Sequence, residues 1–368
     1  MAVQAITTRE MYDRMRAGES FFILDVRNRV DYQDWRIQGQ ALKAINIPYF
    51  EFREDEINNQ LIPKNTHVIV VSLEEESANK VAEHMQEKGY NVSYLQSGFQ
   101  TWYQFYVQSN IIEQPQLKLI QVNRVAKGCL SYVIVSGKQM CVVDPAIHIQ
   151  QYLEIAEREN AKITHIIDTH IHTDHISGAR ELLKHTKAEY YIPKSEAHQT
   201  QLHCTFLNQG TIRCGSVEIR TVYVPTEGQT MGGSAALVVN NQALLSGDSI
   251  VVGEVGIPDM AGKAQEWAEK LFNTTFRRVK NLDNDVLVLP AHYADIQAIN
   301  RGGYVGAFLG DLRHGAEAMA KNPSITFKKR VEGAVAALHP NYLDIVDVNR
   351  GVMDIDQVNV QELELGDL

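Results

Sequence analysis

The sequence predicts an α/β chain in two parts. The first is a parallel sheet flanked by helices. In the second, two sheets pack face to face with helices outside. Three observations carry this expectation. Short apolar runs alternate with an amphipathic helix over the first hundred residues, which argues for parallel strands covered by helices. Beyond residue 117 the apolar runs come in close succession, as in antiparallel hairpins, with helices between them. Between two such elements lies His170-Ile171-His172-Thr173-Asp174-His175, with four metal-capable side chains in six positions of a chain that has 13 histidines.

In the first part, Phe21 to Val26, Val68 to Val71 and Val92 to Leu95 read as strands. Ser77 to Lys88 reads as a helix with Val81, Ala82 and Met85 on one face, ended by Gly89. Domain one is expected over residues 1–108. Residues 109–116, with Pro115, read as a linker, and the second domain as residues 117–368. There the runs Leu117 to Val122, Tyr132 to Val135 and Met140 to Asp144 read as strands, followed by a helix from about Ile149 to Asn160. Val217 to Val222, Ala235 to Val239 and Ala243 to Ser246 complete the strand set.

The 368 residues allow two domains, and 44% hydrophobic with 22% charged residues is ordinary for a globular soluble protein. A net charge of −10 without a basic run argues against nucleic acid as a partner. No signal peptide or membrane span is visible, so the expected location is cytoplasmic. Cys129, Cys141, Cys204 and Cys214 have no metal-like spacing, and each is expected to be a small buried residue in a reduced compartment. Cys129, between Gly128 and Leu130, is expected to be an inert thiol rather than a sulfur carrier beside a metal.

The His170–His175 cluster follows the apolar run Ile163 to Asp168 and precedes the helix start Ile176 to Leu183. It therefore occupies a strand-to-helix loop, where α/β proteins commonly place their chemistry. Imidazole nitrogen and carboxylate oxygen suit zinc and iron.

The first part resembles a rhodanese domain through Asp25-Val26-Arg27, Asp31-Tyr32, Asn46-Ile47-Pro48 and Leu95-Gln96-Ser97-Gly98 with Trp102. That family's active loop opens with a catalytic cysteine and carries an arginine. The aligned stretch here is Val71, Ser72, Leu73, Glu74, Glu75, Glu76, Ser77, with Val71 at the cysteine position and Glu76 at the arginine position. Sulfur transfer needs a thiolate in an electropositive cup. A loop with three glutamates and no thiol is expected to be inert.

The second part resembles the metallo-β-lactamase superfamily, whose His-x-His-x-Asp-His motif stands intact at His170 to His175. Ser246-Gly247-Asp248 and Pro290-Ala291-His292-Tyr293 match later motifs in order. The resemblance implies an αββα sandwich. It implies one metal on His170, His172 and residue 229, and a second on Asp174, His175, Asp248 and His292. In a mononuclear iron version the ligands would be His170, residue 229 and Asp248. Gln229 replaces the expected histidine within Thr226-Glu227-Gly228-Gln229-Thr230, and a neutral amide oxygen is expected to weaken metal binding there. His198 and His203 are candidates for a substitute ligand, and each otherwise reads as a solvated residue.

The implied cofactor is a single iron, or one or two zinc ions, with Asp174 orienting or deprotonating a water. The expected substrate is a small thiol or persulfide. Ala320 to Thr326 and Pro340-Asn341-Tyr342 resemble the persulfide dioxygenase subfamily, the leading reading. Thioester hydrolysis resembling glyoxalase II is the alternative. A non-catalytic protein binding a sulfur metabolite or a partner is the third reading. Homo-oligomerisation fits any of the three.

Overall fold

The computed structural model describes residues 2–39, 42–52, 61–197, 200–207, 210–224, 234–251, 254–255, 279, 281–315 and 341–364. The N-terminal part holds β1 (Gln4–Ile6), α1 (Thr8–Arg16), β2 (Phe22–Asp25), α2 (Arg29–Asp34), β3 (Lys43–Asn46), β4 (Val68–Val71), α3 (Glu75–Glu87), β5 (Val92–Leu95) and α4 (Phe99–Tyr103). Its five strands run parallel in the order β1-β5-β4-β2-β3. β4 is four buried β-branched residues, as a central strand covered on both faces requires. A capping box starts α1: the Thr7 side chain accepts from the Glu10 amide at 3.1 Å, and the Glu10 carboxylate accepts from the Thr7 amide at 2.8 Å.

The motif residues of this part serve the core. Arg27 donates to Asp25 at 2.7 Å and lies 3.6 Å above the Phe99 ring, both charges being buried. The Asn46 side chain donates to the Asp25 and Arg27 carbonyls, at 2.9 Å each. The ends of β2 and β3 are thereby locked together.

The second part contains two sheets. The first has order β12-β11-β10-β9-β8-β7-β6, from β6 (Tyr106–Gln114), β7 (Leu117–Arg124), β8 (Cys129–Ser136), β9 (Gln139–Val143), β10 (Lys162–Ile167), β11 (Glu189–Pro193) and β12 (Thr205–Leu207). The second has order β13-β14-β15-β16-β19-β20, from β13 (Thr211–Cys214), β14 (Val217–Val224), β15 (Ser234–Val239), β16 (Ala243–Gly247), β19 (Leu287–Pro290) and β20 (Ala307–Phe308). A small hairpin of β17 (Ile250–Val251) and β18 (Glu254–Val255) stands apart. Helices α5 (Gln150–Arg158) and α6 (Ala179–His185) flank β10 in sequence.

Residues 109–116, read as a linker, are mostly strand. β6 runs to Gln114, and only Pro115 and Gln116 separate it from β7, its antiparallel partner. The reason is packing: Val107, Ile111 and Ile112 lie on the apolar core and Ser109 donates to the Gly303 carbonyl at 2.7 Å, so the segment gains more as an edge strand than as free chain.

One apolar cluster runs through both parts, joining Met11, Tyr12, Trp35 and Trp102 to Leu119, Tyr132, Leu237 and Leu289. Each fully buried side chain of this size contributes roughly 1.5–3 kcal/mol. The two parts therefore pack as one body around a shared core. Polar contacts reinforce the junction. The Trp35 indole donates to the Ala126 carbonyl at 3.2 Å, and Arg16 donates to the Asn300 carbonyl at 2.7 Å. Among the described residues, no helix is long and apolar enough to cross a membrane.

Candidate metal centre

The two inner sheets bring together the ends of four strands. Asp144 follows β9, the 168–176 loop follows β10, Asp248 follows β16 and His292 lies two residues beyond β19. Two glycines permit the approach. Gly247 has φ 54°, a left-handed conformation that a side chain would strain. At Gly178 an added Cβ would lie 2.2 Å from the Ala146 carbonyl oxygen, so only glycine lets α6 start against the turn after β9.

The histidines are set by partners behind them. Asp144 accepts from the Thr169 amide at 2.7 Å and from the Thr169 hydroxyl at 3.0 Å. With its only proton directed at Asp144, the hydroxyl accepts from His170 Nδ1 at 2.9 Å. That tautomer presents His170 Nε2 to the site, 3.2 Å from Asp248 Oδ2. His292 is oriented likewise: Nδ1 donates to Asp248 Oδ1 at 2.6 Å, and Nε2 lies 3.2 Å from Asp174 Oδ2 without hydrogen-bond geometry. Carboxylates behind imidazoles are the usual support of metal-ligating histidines.

His175 Nδ1 is 2.9 Å from Asp174 Oδ2, and the Cys129 thiol is 3.7 Å from the same oxygen. His172 Nε2 lies 3.3 Å from Asp144 Oδ1, yet neither of its ring nitrogens has a hydrogen-bond partner, although the side chain is 1% exposed. The His170, His172 and His175 rings lie in a row with centroids 4.3 and 4.2 Å apart, tilted to one another by 57° and 40°.

These neighbours polarise the site. Burial works to raise the Asp174 carboxyl, but the His175 and His292 imidazoles overcome it and hold Asp174 well below the usual range. Burial likewise opposes the ionised Asp248, and His292 and His170 outweigh it. Burial disfavours the charged forms of His175 and His292, but the facing carboxylates raise both well above an ordinary imidazole. His172 goes the other way. Burial and the two neighbouring imidazoles push it down to about 4, so it stays neutral and ready to ligate. Asp168, buried behind the loop beside Asp144, is pushed up to about 7 and accepts from Ser177 and Tyr190.

These residues fit a divalent cation. A buried imidazole with two unpartnered nitrogens is costly unless something else satisfies it. The donor set of imidazoles and carboxylates is one that zinc and iron accept.

Of the residues expected to hold metal, His170, His172, Asp174, His175, Asp248 and His292 converge here. Asp248 lies between His170 and His292, touching one with each oxygen. Gln229 and its flanking residues, His198, and the segment Ala320 to Thr326 with Pro340 lie outside the described residues. His203 is exposed and is not among the clustered possible metal donors of the described residues. Cys129 is buried, as expected, but its thiol faces the site. The expectation of a thiol remote from the metal is corrected by β8, whose first residue bridges to His292 across the sheets.

Sequence reasoning missed the supports of the loop. Asn349 donates to the His172 and His175 carbonyls, at 2.9 Å each, and accepts from the Ser177 amide at 2.8 Å. Glu364 accepts from the Ile176 amide and from the Tyr103 hydroxyl, at 2.8 and 3.0 Å, and pairs with buried Arg124 at 2.8 Å. Asp144 alone had a signal, as an acid ending an apolar strand.

A cavity of about 290 Å³ lies where the two parts meet, lined by Arg36, Gln38 and Trp102 of the N-terminal part and by Lys127, Gly128 and Tyr293 of the second. Gly128 and Tyr293 adjoin Cys129 and His292 in the chain. The loop after β4 is different. Val71 ends the strand, Ser72 is buried, Glu74 and Glu76 are exposed, and Glu75 accepts from the Ser97 amide at 2.8 Å.

Residues 7–105 match the rhodanese-like domain model and residues 124–202 the metallo-β-lactamase superfamily model. A hydroxyacylglutathione hydrolase of Rhodospirillum rubrum is 28% identical over 152 residues, 41% of this chain and 56% of that protein. The mitochondrial persulfide dioxygenase ETHE1 of Mus musculus is 28% identical over 159 residues, 40% of this chain and 58% of that protein. The matches thus span less than two thirds of either relative. The structure of a metallo-beta-lactamase from Staphylococcus aureus superposes with a TM-score of 0.57 at 23% identity, covering 65% of this chain and 74% of that one. Geometry, motif order and these similarities agree: the chain carries a rhodanese-like domain followed by a metallo-β-lactamase superfamily domain.

Proposed function

We propose that this chain is a metal-dependent enzyme acting on a low-molecular-weight thiol adduct, and that hydrolysis of a thioester is the chemistry its geometry supports best. The observation that carries this is the convergence of His175, His292 and Cys129 on Asp174 Oδ2. That group is complete without residue 229. A divalent cation bound there supplies Lewis acidity toward the substrate carbonyl and makes water nucleophilic near neutral pH. Asp174, held ionised by its imidazole neighbours, orients a water through its carboxylate; its depressed pKa suits it to that role better than to proton abstraction. Asp248 and Asp144 fix the imidazoles, and the cavity between the parts, which Gly128 and Tyr293 link by chain to Cys129 and His292, is the proposed seat of the thiol carrier. Its walls come from both domains, which gives the rhodanese-like part a role without sulfur transfer.

The second reading, persulfide oxidation by a mononuclear iron, draws on the similarity to the mouse enzyme and on the fused rhodanese-like domain. Of the ligands it implies, His170 and Asp248 stand 3.2 Å apart, and Gln229 replaces the third. Anaerobic purification with elemental analysis, followed by assays on glutathione thioesters and glutathione persulfide, separates the readings. Thioester cleavage that is unchanged without oxygen supports hydrolysis. Stoichiometric iron with oxygen uptake on persulfide supports the oxygenase. Failure to retain either metal after reconstitution overturns both and leaves a metabolite- or partner-binding protein.

A further inference from the structure

We infer that Cys129 is a metal ligand, so that the intact half of the centre is a thiolate site of composition Cys129, Asp174, His175 and His292. It would hold one zinc-like ion that expands to a fifth position to admit water, with Asp174 ligating through Oδ2 and orienting the water through its other oxygen, and Asp248 acts behind His292 rather than as a protein donor. This deepens the metal-dependent reading and rests on it only in requiring that a metal binds.

The geometry carries the argument. One ligand atom from each of these four side chains lies within 4.8 Å of all the others. Around Asp174 Oδ2 the separations are 2.9 Å to His175 Nδ1, 3.2 Å to His292 Nε2 and 3.7 Å to Cys129 Sγ. Tetrahedral zinc with ordinary Zn–N, Zn–O and Zn–S bonds places its donors about 3.3–3.6 Å apart, with sulfur at the long end. The observed set follows that order. Asp248 Oδ1 is bonded to His292 Nδ1, the ring nitrogen away from Asp174, and it fixes the tautomer that leaves Nε2 free to coordinate.

Cys129 is held in place by backbone. It opens β8, pairs with Arg124 across the β7–β8 turn and bridges to His292, while the Leu130 amide donates to the Ala291 carbonyl at 2.7 Å. The thiol also lies 3.8 Å from the Lys127 carbonyl. A thiolate adds a soft, negatively charged donor to the two imidazoles and the carboxylate. On binding, the Cys129 S–H bond breaks, the proton passes to buffer and a sulfur–metal bond forms, with no change of oxidation state.

Cobalt(II) titration of the full-length, chelator-stripped, reduced protein tests this. The expected result is one equivalent of cobalt with a near-ultraviolet thiolate-to-metal charge-transfer band. Cys129→Ser should lose the band and bind cobalt at least about tenfold more weakly. Should Cys129→Ser misfold by circular dichroism, His292→Ala supplies the second arm, retaining the charge-transfer band at reduced affinity. Stoichiometric cobalt without the band, or unchanged affinity in Cys129→Ser, overturns the assignment of Cys129 while leaving the metal-dependent function standing. No cobalt binding overturns both.

Discussion

The loops after β4 and after β10 occupy the same topological place: each leaves the C-terminal end of a parallel strand and enters a helix. Their surroundings differ. The loop after β4 presents Leu73, Glu74 and Glu76 to solvent, and Glu76 pairs with Lys80 on its own helix. The loop after β10 is enclosed. His170, His172 and His175 are nearly inaccessible, and side chains from distant segments bond its backbone. Strand ends in open α/β sheets provide a location for chemistry. Whether that location works depends on titratable groups held at low dielectric by partners, and here only the second loop has them.

The largest expected effect breaks the enclosed loop at its hub. Asp174→Asn should lower kcat by about 10²-fold or more and weaken metal retention, whereas Glu74→Ala in the open loop should leave both unchanged. Steady-state kinetics with metal analysis checks the pair, and equal effects would dissolve the contrast. Next is the anchor at Glu364. Glu364→Gln leaves Arg124 charged and buried, so urea unfolding should show a loss of about 3–5 kcal/mol. Gly178→Ala, which must push the Ala146 carbonyl aside, should cost about 1–3 kcal/mol in the same assay.

Acid should sharpen the contrast. For the metal-free protein, His172 is depressed from 6.5 to about 4 by burial and its neighbouring imidazoles. The unfolded chain therefore binds the extra proton first. Stability from this group is present above about 6.5 and is lost as pH falls toward 4. Asp168, raised from 3.8 to about 7 by burial and by Asp144, opposes it, losing its stabilising contribution as pH rises through that range. In His172→Gln the first of these slopes should vanish from a melting-temperature profile between pH 4 and 7. The smallest effect lies on the open loop: Glu76→Ala removes only an exposed helix pair and should not move the melting temperature measurably.

Much of the fold was legible because periodicity and motif order are local. β4 and β5 fall at the bounds expected, and most other strands lie within two residues of them. The chain order of His170 to His175, Asp248 and His292 pointed to a cluster of candidate metal ligands, since those residue types suit a metal ion and follow strand ends. The supposed linker was misread because a polar edge strand with a two-residue turn carries the composition of a connection.

What the sequence by itself determined is the α/β class, the two-part order and six of the converging side chains. Tertiary structure alone decided that the two parts share one core, that Asn349 and Glu364 hold the loop, and that Cys129 faces Asp174. The physical reason is that ligation and buried hydrogen bonding depend on separations of a few ångströms between residues as far as 261 positions apart. Those separations are set by how sheets stack, which no local pattern encodes.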